Sequence, residues 1–300
     1  MGETQIKREP ETRRRSTVGF KSFLKTLLKH RLSLIGISII ILMFSLALFA
    51  PLLAPYDPNA PDFYNLLKGP SAKHWLGTDD LGRDLLSRVI YGARVSMTVG
   101  IGCTVFSLAF GTFMGVLSGY KGGAWDMVIM RVVDMIMIFP GFMFVLILAA
   151  ALGPGMINII IAISLFGWAG AARLIRGQVL SVREHLYVEA ARVAGASNMR
   201  VMLKYILPNS IAPIIVASAL SLGGAVGMEA GAAFLGIGVQ PPTASWGREL
   251  RIGYTYLTTS PLYSLAPGMM ITMAIMAFIM LADGLRDSLD PRIRGEGKKV

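Results

Sequence analysis

Long apolar runs separated by short polar breaks dominate the pattern of this chain. Leu32 to Leu53 is apolar without a charge and ends near Pro51 and Pro55. Ser96 to Gly119 forms a second run, closed by Lys121-Gly122-Gly123, and Met127 to Leu152 a third, interrupted at Pro140-Gly141. Gly153-Pro154-Gly155 leaves room only for a hairpin before a fourth run, Ile157 to Ala172. A fifth extends from Ile211 to about Gly238 and a sixth from Leu265 to Ala282, with the polar loop Val239 to Ser260 between them. A helix crosses the hydrocarbon core of a bilayer in about 20 residues. The pattern therefore predicts an all-α polytopic membrane protein with six transmembrane helices. In the second run Gly111, Gly115 and Gly119 recur every fourth residue, which puts three side-chain-free positions on one face for close packing against a helix or a partner chain.

Two polar segments are long enough to hold structure of their own. In Tyr56–Arg94, Leu85, Val89 and Ile90 share a helical face, with Arg83, Asp84 and Arg88 off it. That spacing predicts an amphipathic helix on the outer surface that shapes the approach to the second span. Asp79 and Asp80 stand where that helix would place its positive end. In Arg173–Leu207, Leu186, Tyr187, Ala190, Ala191 and Ala194 recur at helical spacing, away from Arg183, Glu184 and Arg192. Gly195 fits a helix stop and Ser197 the N-cap of a second helix. Met199, Met202, Leu203 and Ile206 form its apolar stripe, opposite Arg200 and Lys204, and Pro208 ends the unit. Spacing alone leaves two roles open for this knob: a helix pair lying along the headgroups, or a docking element for a partner.

Composition and charge agree with the membrane class and fix an orientation. The chain has 300 residues, 54% hydrophobic and 16% charged, with a mean hydropathy of +0.58, against about a quarter charged in soluble domains. The net charge of +11 does not point to nucleic acid, because the basic residues flank the apolar block. Lys7, Arg8, Arg13, Arg14, Arg15, Lys21, Lys25, Lys29 and Arg31 precede the first run, and Arg292, Arg294, Lys298 and Lys299 follow the last. By the positive-inside rule both ends are cytoplasmic, and so is the island with Arg173, Arg176, Arg183, Arg192, Arg200 and Lys204. The basic residues of Tyr56–Arg94 are the exception, balanced there by Asp57, Asp62, Asp79, Asp80 and Asp84. The first run is too long for a signal-peptide core and reads as an uncleaved anchor. Cys103 is the one cysteine, so neither an internal disulfide nor a Cys-based metal cluster forms. The expected organisation is a basic tail over residues 1–31, a first helix over 32–54, an outer loop over 55–94, a core over 95–285 containing the cytoplasmic loop 173–207, and a tail over 286–300.

Several stretches of the sequence match known motifs. Glu189-Ala190-Ala191, then Gly195 after three residues, then Leu207-Pro208 stand at fixed spacing, with Tyr205 where Ile is usual. This resembles the EAA loop of binding-protein-dependent ABC import permeases. His74–Asp84 with Ser87–Arg94, Phe234-Leu235-Gly236, Gln240-Pro241-Pro242, Ser245-Trp246-Gly247, Asp283–Asp287 and Leu289-Asp290-Pro291 resemble the dipeptide, oligopeptide and nickel uptake permeases, in their C-type subunit. The resemblance implies a type I ABC importer permease core of five helices plus one N-terminal helix, in a bacterial cytoplasmic membrane. It also implies a second homologous permease, one or two ABC ATPase subunits that use ATP and Mg, and an extracytoplasmic substrate-binding protein. Glu189, Ala190, Ala191, Arg192, Gly195, Ala196, Ser197, Leu207 and Pro208 would form the coupling loop seated on the ATPase.

The chain holds no G-x-x-x-x-G-K-[ST] loop, and Gly295-Glu296-Gly297-Lys298 has neither its spacing nor its hydroxyl. ATP is thus not hydrolysed here, and no metal or other cofactor is expected on this chain. Ion-driven carriers, the rival class, keep ionisable groups near the midplane. The runs offer few: Arg131 and Asp134, three residues apart and able to pair on one face, and Glu229 in the fifth. Two roles are open for Glu229: a hydrogen bond to a neighbouring helix or subunit, or a place on the pathway near an outer gate, meeting the amino group of the cargo.

Overall fold

A computed structural model describes residues 27–28 and 30–289. The basic clusters of the two tails and Leu289-Asp290-Pro291 beyond Leu289 therefore lie outside the described residues. The described chain is helical, apart from an isolated antiparallel bridge between Thr78 and Asp84. Its elements are α1 (Arg31–Leu48), α2 (Ala50–Leu53), α3 (Leu85–Lys121), α4 (Gly123–Ile138), α5 (Gly141–Leu152), α6 (Met156–Arg183), α7 (Leu186–Val193), α8 (Asn198–Val201), α9 (Leu207–Phe234), α10 (Trp246–Thr255) and α11 (Pro261–Leu289). Among the described residues five helical stretches are long and apolar enough to cross a membrane, and six if the bent pair α4–α5 counts as one crossing.

That pair is broken where Pro140-Gly141 announced it: the two helices meet at 91°. A proline lacks the N–H that would continue the ladder of α4. The first apolar run is likewise divided, at Phe49, into α1 and the short α2.

Other boundaries differ from the sequence pattern for one reason: helices run on past the apolar stretch once their polar ends find partners. The amphipathic segment before the second span is no separate surface helix. Residues 85–121 form one helix, and Asp84, not Asp79 or Asp80, caps it by accepting from the Ser87 N–H at 2.8 Å. Arg88, expected off the apolar face, is completely buried. The fourth run continues as helix to Arg183, and α11 exceeds the sixth run at both ends. The loop between the fifth and sixth runs contains α10, capped by Ser245.

Helix α3 is the central rod, packed along most of α6 and against α9 and α1. The glycine face meets a helix of the same chain. A Cβ on Gly111 would stand 2.6 Å from the Ala171 side chain, one on Gly115 2.6 Å from the Ala172 carbonyl, and one on Gly119 2.9 Å from Val179. Larger residues there would force α3 and α6 apart. The core lies along this seam, with Val99, Ala162, Ala169, Ile175 and Val179 fully buried.

Segment 54–84 folds back over one end of the bundle, where a buried charge network fixes it. Arg88 donates from Nε and Nη2 to the two oxygens of Glu249 at 2.9 and 2.6 Å, and from Nη1 to the Pro58 carbonyl at 2.7 Å. Asp79 binds Arg83 Nε at 2.5 Å and lies 3.4 Å from Arg88, while Tyr263 donates to Asp80 at 2.9 Å. The Trp246 ring lies on Gly92, where a Cβ would come within 2.7 Å, and its N–H donates to the Val89 carbonyl at 2.8 Å. The loop, α3, α10 and α11 are thereby joined at one end.

Candidate functional site

The opposite end carries the island between α6 and α9. Helix α7 stops at Gly195, whose φ of +81° is strained for any residue with a Cβ. The Gly195 N–H donates to the Arg192 carbonyl at 2.9 Å and the Ala196 N–H to the Ala191 carbonyl at 3.0 Å, the paired bonds of a left-handed helix stop. Ser197 then caps α8, its hydroxyl accepting from the Arg200 N–H at 3.4 Å. Stop and cap both stand where local sequence chemistry puts them.

The chain beyond differs from expectation. Pro208 does not end the unit, because a π turn, Met202–Ile206, joins α8 to α9 and the Leu207 N–H donates to the Met202 carbonyl. The wider turn accommodates Pro208, which lacks an N–H of its own. Leu207 and Pro208 thus belong to a continuous helix.

The faces of the knob also differ from the expected stripes. Val188 in α7, and Val201 and Ile206 beyond it, join Ile175, Val179 and Val182 of α6 in one apolar cluster, and Ala191 is also buried. Leu186 and Val193 are instead 82% and 86% exposed, and Met199 and Leu203 are also exposed. Alongside them Glu189, Ala190, Arg192, Gly195 and Ser197 face outward, while Ala196 is half-buried. The outward face is therefore apolar at four positions: Leu186, Met199 and Leu203, which belong to the expected apolar stripes, and Val193, which those stripes left out. The seven-residue interval between Leu186 and Val193, two helical turns, was the signal that could have found it.

The knob is held to the end of α3. Tyr120 donates to Asn198 Oδ1 at 2.8 Å, and the Arg192 guanidinium lies 5.6 Å from the centre of its ring. Arg183 Nη1 donates to the Gly119 carbonyl at 3.0 Å. Both helices of the knob and the end of α6 thus converge on Gly119-Tyr120. Nearby, Arg176 makes a two-pronged pair with Asp126 at 2.5 and 2.7 Å. Asp134 bonds Arg173 of α6 and not Arg131 as spacing allowed, because the α4–α6 contact brings an interhelical partner closer.

Glu229, near the far end of α9, is completely buried, and Ser96 Oγ of α3 donates to its Oε2 at 3.0 Å. At 0% exposure in this chain, Glu229 makes the interhelical hydrogen bond that was one of its two open roles. Glu229→Gln keeps an acceptor for Ser96. It is expected to change uptake of cargo with a free amino group and of cargo with a blocked one equally; a loss confined to the free-amine cargo would restore the pathway role.

Comparison with known proteins now bears on this geometry. Residues 111–295 match the family described as binding-protein-dependent transport system inner membrane component, and residues 20–70 match the N-terminal TM domain of oligopeptide transport permease C. The chain belongs to this permease family. The permease is 39% identical over 285 residues to a dipeptide transport system permease protein of Alkalihalophilus pseudofirmus, covering 95% of this chain and 94% of that one. It is 40% identical over 257 residues to a glutathione transport system permease protein of Escherichia coli, covering 85% of each. A solved amino acid ABC transporter shares its fold, with a TM-score of 0.55 at 16% identity over 68% of this chain and 95% of that one. The permease is thus a multi-pass protein of the inner membrane.

Tyr120→Ala removes both the ring under Arg192 and the hydroxyl on Asn198 of this permease. Each contact contributes about 0.5–1.5 kcal/mol, so the knob loosens while the membrane core stays intact. The expected outcome is faster proteolysis of the knob in the purified permease, with Tyr120→Phe between the two. An unchanged cleavage rate in Tyr120→Ala would show that this clasp does not matter.

Proposed function

We propose that the chain is one of two homologous permeases in an ATP-driven importer of short peptides, and that its knob is the seat of an ATP-hydrolysing subunit. The single observation behind this reading is the knob itself. It is a helix pair, stopped at Gly195 and capped at Ser197, that presents exposed Leu186, Val193, Met199 and Leu203 beside Glu189 and Arg192, while its inner face packs on α6 and bonds the end of α3. An apolar patch with charged residues around it is the composition of a protein-docking surface. A helix lying along headgroups would have less use for so fixed an inner face.

In this reading the coupling residues are Glu189, Ala190, Arg192, Gly195, Ala196 and Ser197, with Ala191 supporting them from inside and Leu207-Pro208 forming the stem. The knob end is cytoplasmic, as are both tails, and segment 54–84 with α10 faces outward, where the substrate-binding protein docks. ATP and Mg are bound by the partner subunits. Closure of the ATPase pair moves the knob, and α3, clamped at Gly119-Tyr120 and again at Arg88, carries that movement across the bilayer. A partner shifts such an equilibrium only through its different affinity for the two states, so the knob's contacts must change with nucleotide.

Peptide cargo is supported by the names of the two relatives, one a dipeptide and one a glutathione permease; glutathione is itself a tripeptide. Purification of the chain in mild detergent with its companions tests the reading. Co-purified ATPase subunits, and peptide accumulation in liposomes that requires both ATP and the binding protein, are expected. Accumulation by the chain alone on an ion gradient would instead make it a secondary carrier.

A further inference from the structure

At the end of the bundle opposite the knob, a cavity of about 370 Å³ opens between the last turn of α9 and α10. Its wall includes Gly236, Gly238, Gln240, Arg248, Arg251 and Tyr256, and no acidic residue lines it. Two cations are positioned there. Arg248 is half-buried, its Nη1 donating to the Thr243 carbonyl at 3.2 Å. Burial pushes its guanidinium below the usual arginine range; the Glu249 carboxylate acts against that shift, and the charges of Arg88 and Arg83 act with it. Arg251, an exposed residue, packs against Gly236: a Cβ there would overlap its Nη1 and stand 3.0 Å from its Cζ. Neither guanidinium makes an ion pair among the described residues, since Glu249, the neighbour of Arg248, is committed to Arg88. Two guanidinium groups lining a cavity that no acidic residue lines favour an anion, and a planar fork of N–H donors matches a carboxylate best.

We propose that this cavity receives the free carboxylate of a short peptide on its way into the permease, with Arg248 and Arg251 as the donors. The inference rests on the peptide reading above. A volume of this order suits a small ligand or one end of it, whereas the acidic surface of a docked protein would need a broader face. A dipeptide and glutathione, the cargoes named for the two relatives, have a free carboxylate as a common chemical feature.

The test uses the intact importer in liposomes, with its partner permease, ATPases and binding protein, and compares uptake of alanyl-alanine and alanyl-alanine amide. The same binding protein serves every variant, so its own preference cancels when acid-to-amide ratios are compared. In Arg248→Gln/Arg251→Gln the ratio is expected to fall at least about tenfold from loss of the charge-assisted bonds, with amide uptake kept. Arg251→Gln alone, at an exposed position, should fall part of the way, and Arg251→Lys less. If the native importer moves the dipeptide but its ratio survives in the double and single variants, this inference is wrong and the peptide reading stands. If the native importer moves neither compound, both are wrong. Should the variants weaken association with cargo-free binding protein at an unchanged ratio, the arginines hold that protein and the proposal is overturned.

Discussion

Gly195→Val is expected to cut coupled uptake severely while the protein still inserts and assembles. The space around the Gly195 Cα is open, so nothing is struck by a new side chain. The cost lies in the backbone: at φ +81° a side chain meets the following carbonyl, at about 1–2 kcal/mol and more for a β-branched residue. The helix stop can escape only by rearranging, and rearrangement moves Arg192 and Ser197, which stand on either side of it. A strain of 1–2 kcal/mol charged against the docked conformation alone weakens docking by a factor of roughly 5–30. Gly195→Asn, which tolerates left-handed backbone, should retain much of the uptake. Glu189→Lys reverses a charge on the exposed face without touching the stop, and it too should cut uptake severely. The two act differently on the knob, so loss in both, with membrane levels unchanged, points to docking. Normal uptake in both would remove the coupling role.

Arg88→Met is expected to produce the largest loss of stability. Arg88 and Glu249 are 0% and 1% exposed, and removing the cation strands a carboxylate in the interior. Breaking such a buried pair costs about 3–5 kcal/mol, or a fall in melting temperature of roughly 10 °C for a protein of this size. Replacing both partners, as in Arg88→Met/Glu249→Leu, should recover part of that loss, because no unpaired Glu249 carboxylate remains, although the Pro58 carbonyl loses its donor and Asp79 keeps only Arg83. Thermal melts of the purified permease read this directly. Recovery in the double variant identifies the pair as a specificity device joining loop, rod and α10; equal losses in single and double variants would mean the site matters only for its shape.

Local chemistry was legible in the sequence. The stop at Gly195, the cap at Ser197 and the break at Pro140-Gly141 each depend on a few neighbouring residues, and the structure places them as expected. Choices among distant partners were not legible. Nothing near Arg88 announces Glu249, 161 residues away, and Asp134 had a neighbour in Arg131 that it does not use. Periodicity showed that α7 and α8 are two-faced but not which face turns inward, because alanine and leucine suit a core and a docking surface equally. Pro208 read as a terminator for want of an N–H, and only the π turn before it shows how the helix continues.

Pairwise cysteine cross-linking in the assembled importer probes the knob most directly, with Cys103 buried and silent. A cysteine introduced at Val193, on the outward face of α7, should join a cysteine in a groove of the ATP-hydrolysing subunit, and the yield should change when nucleotide is bound. A Val193 position that stays open to a water-soluble maleimide in the full assembly, and links to no ATPase under any nucleotide, would contradict the account.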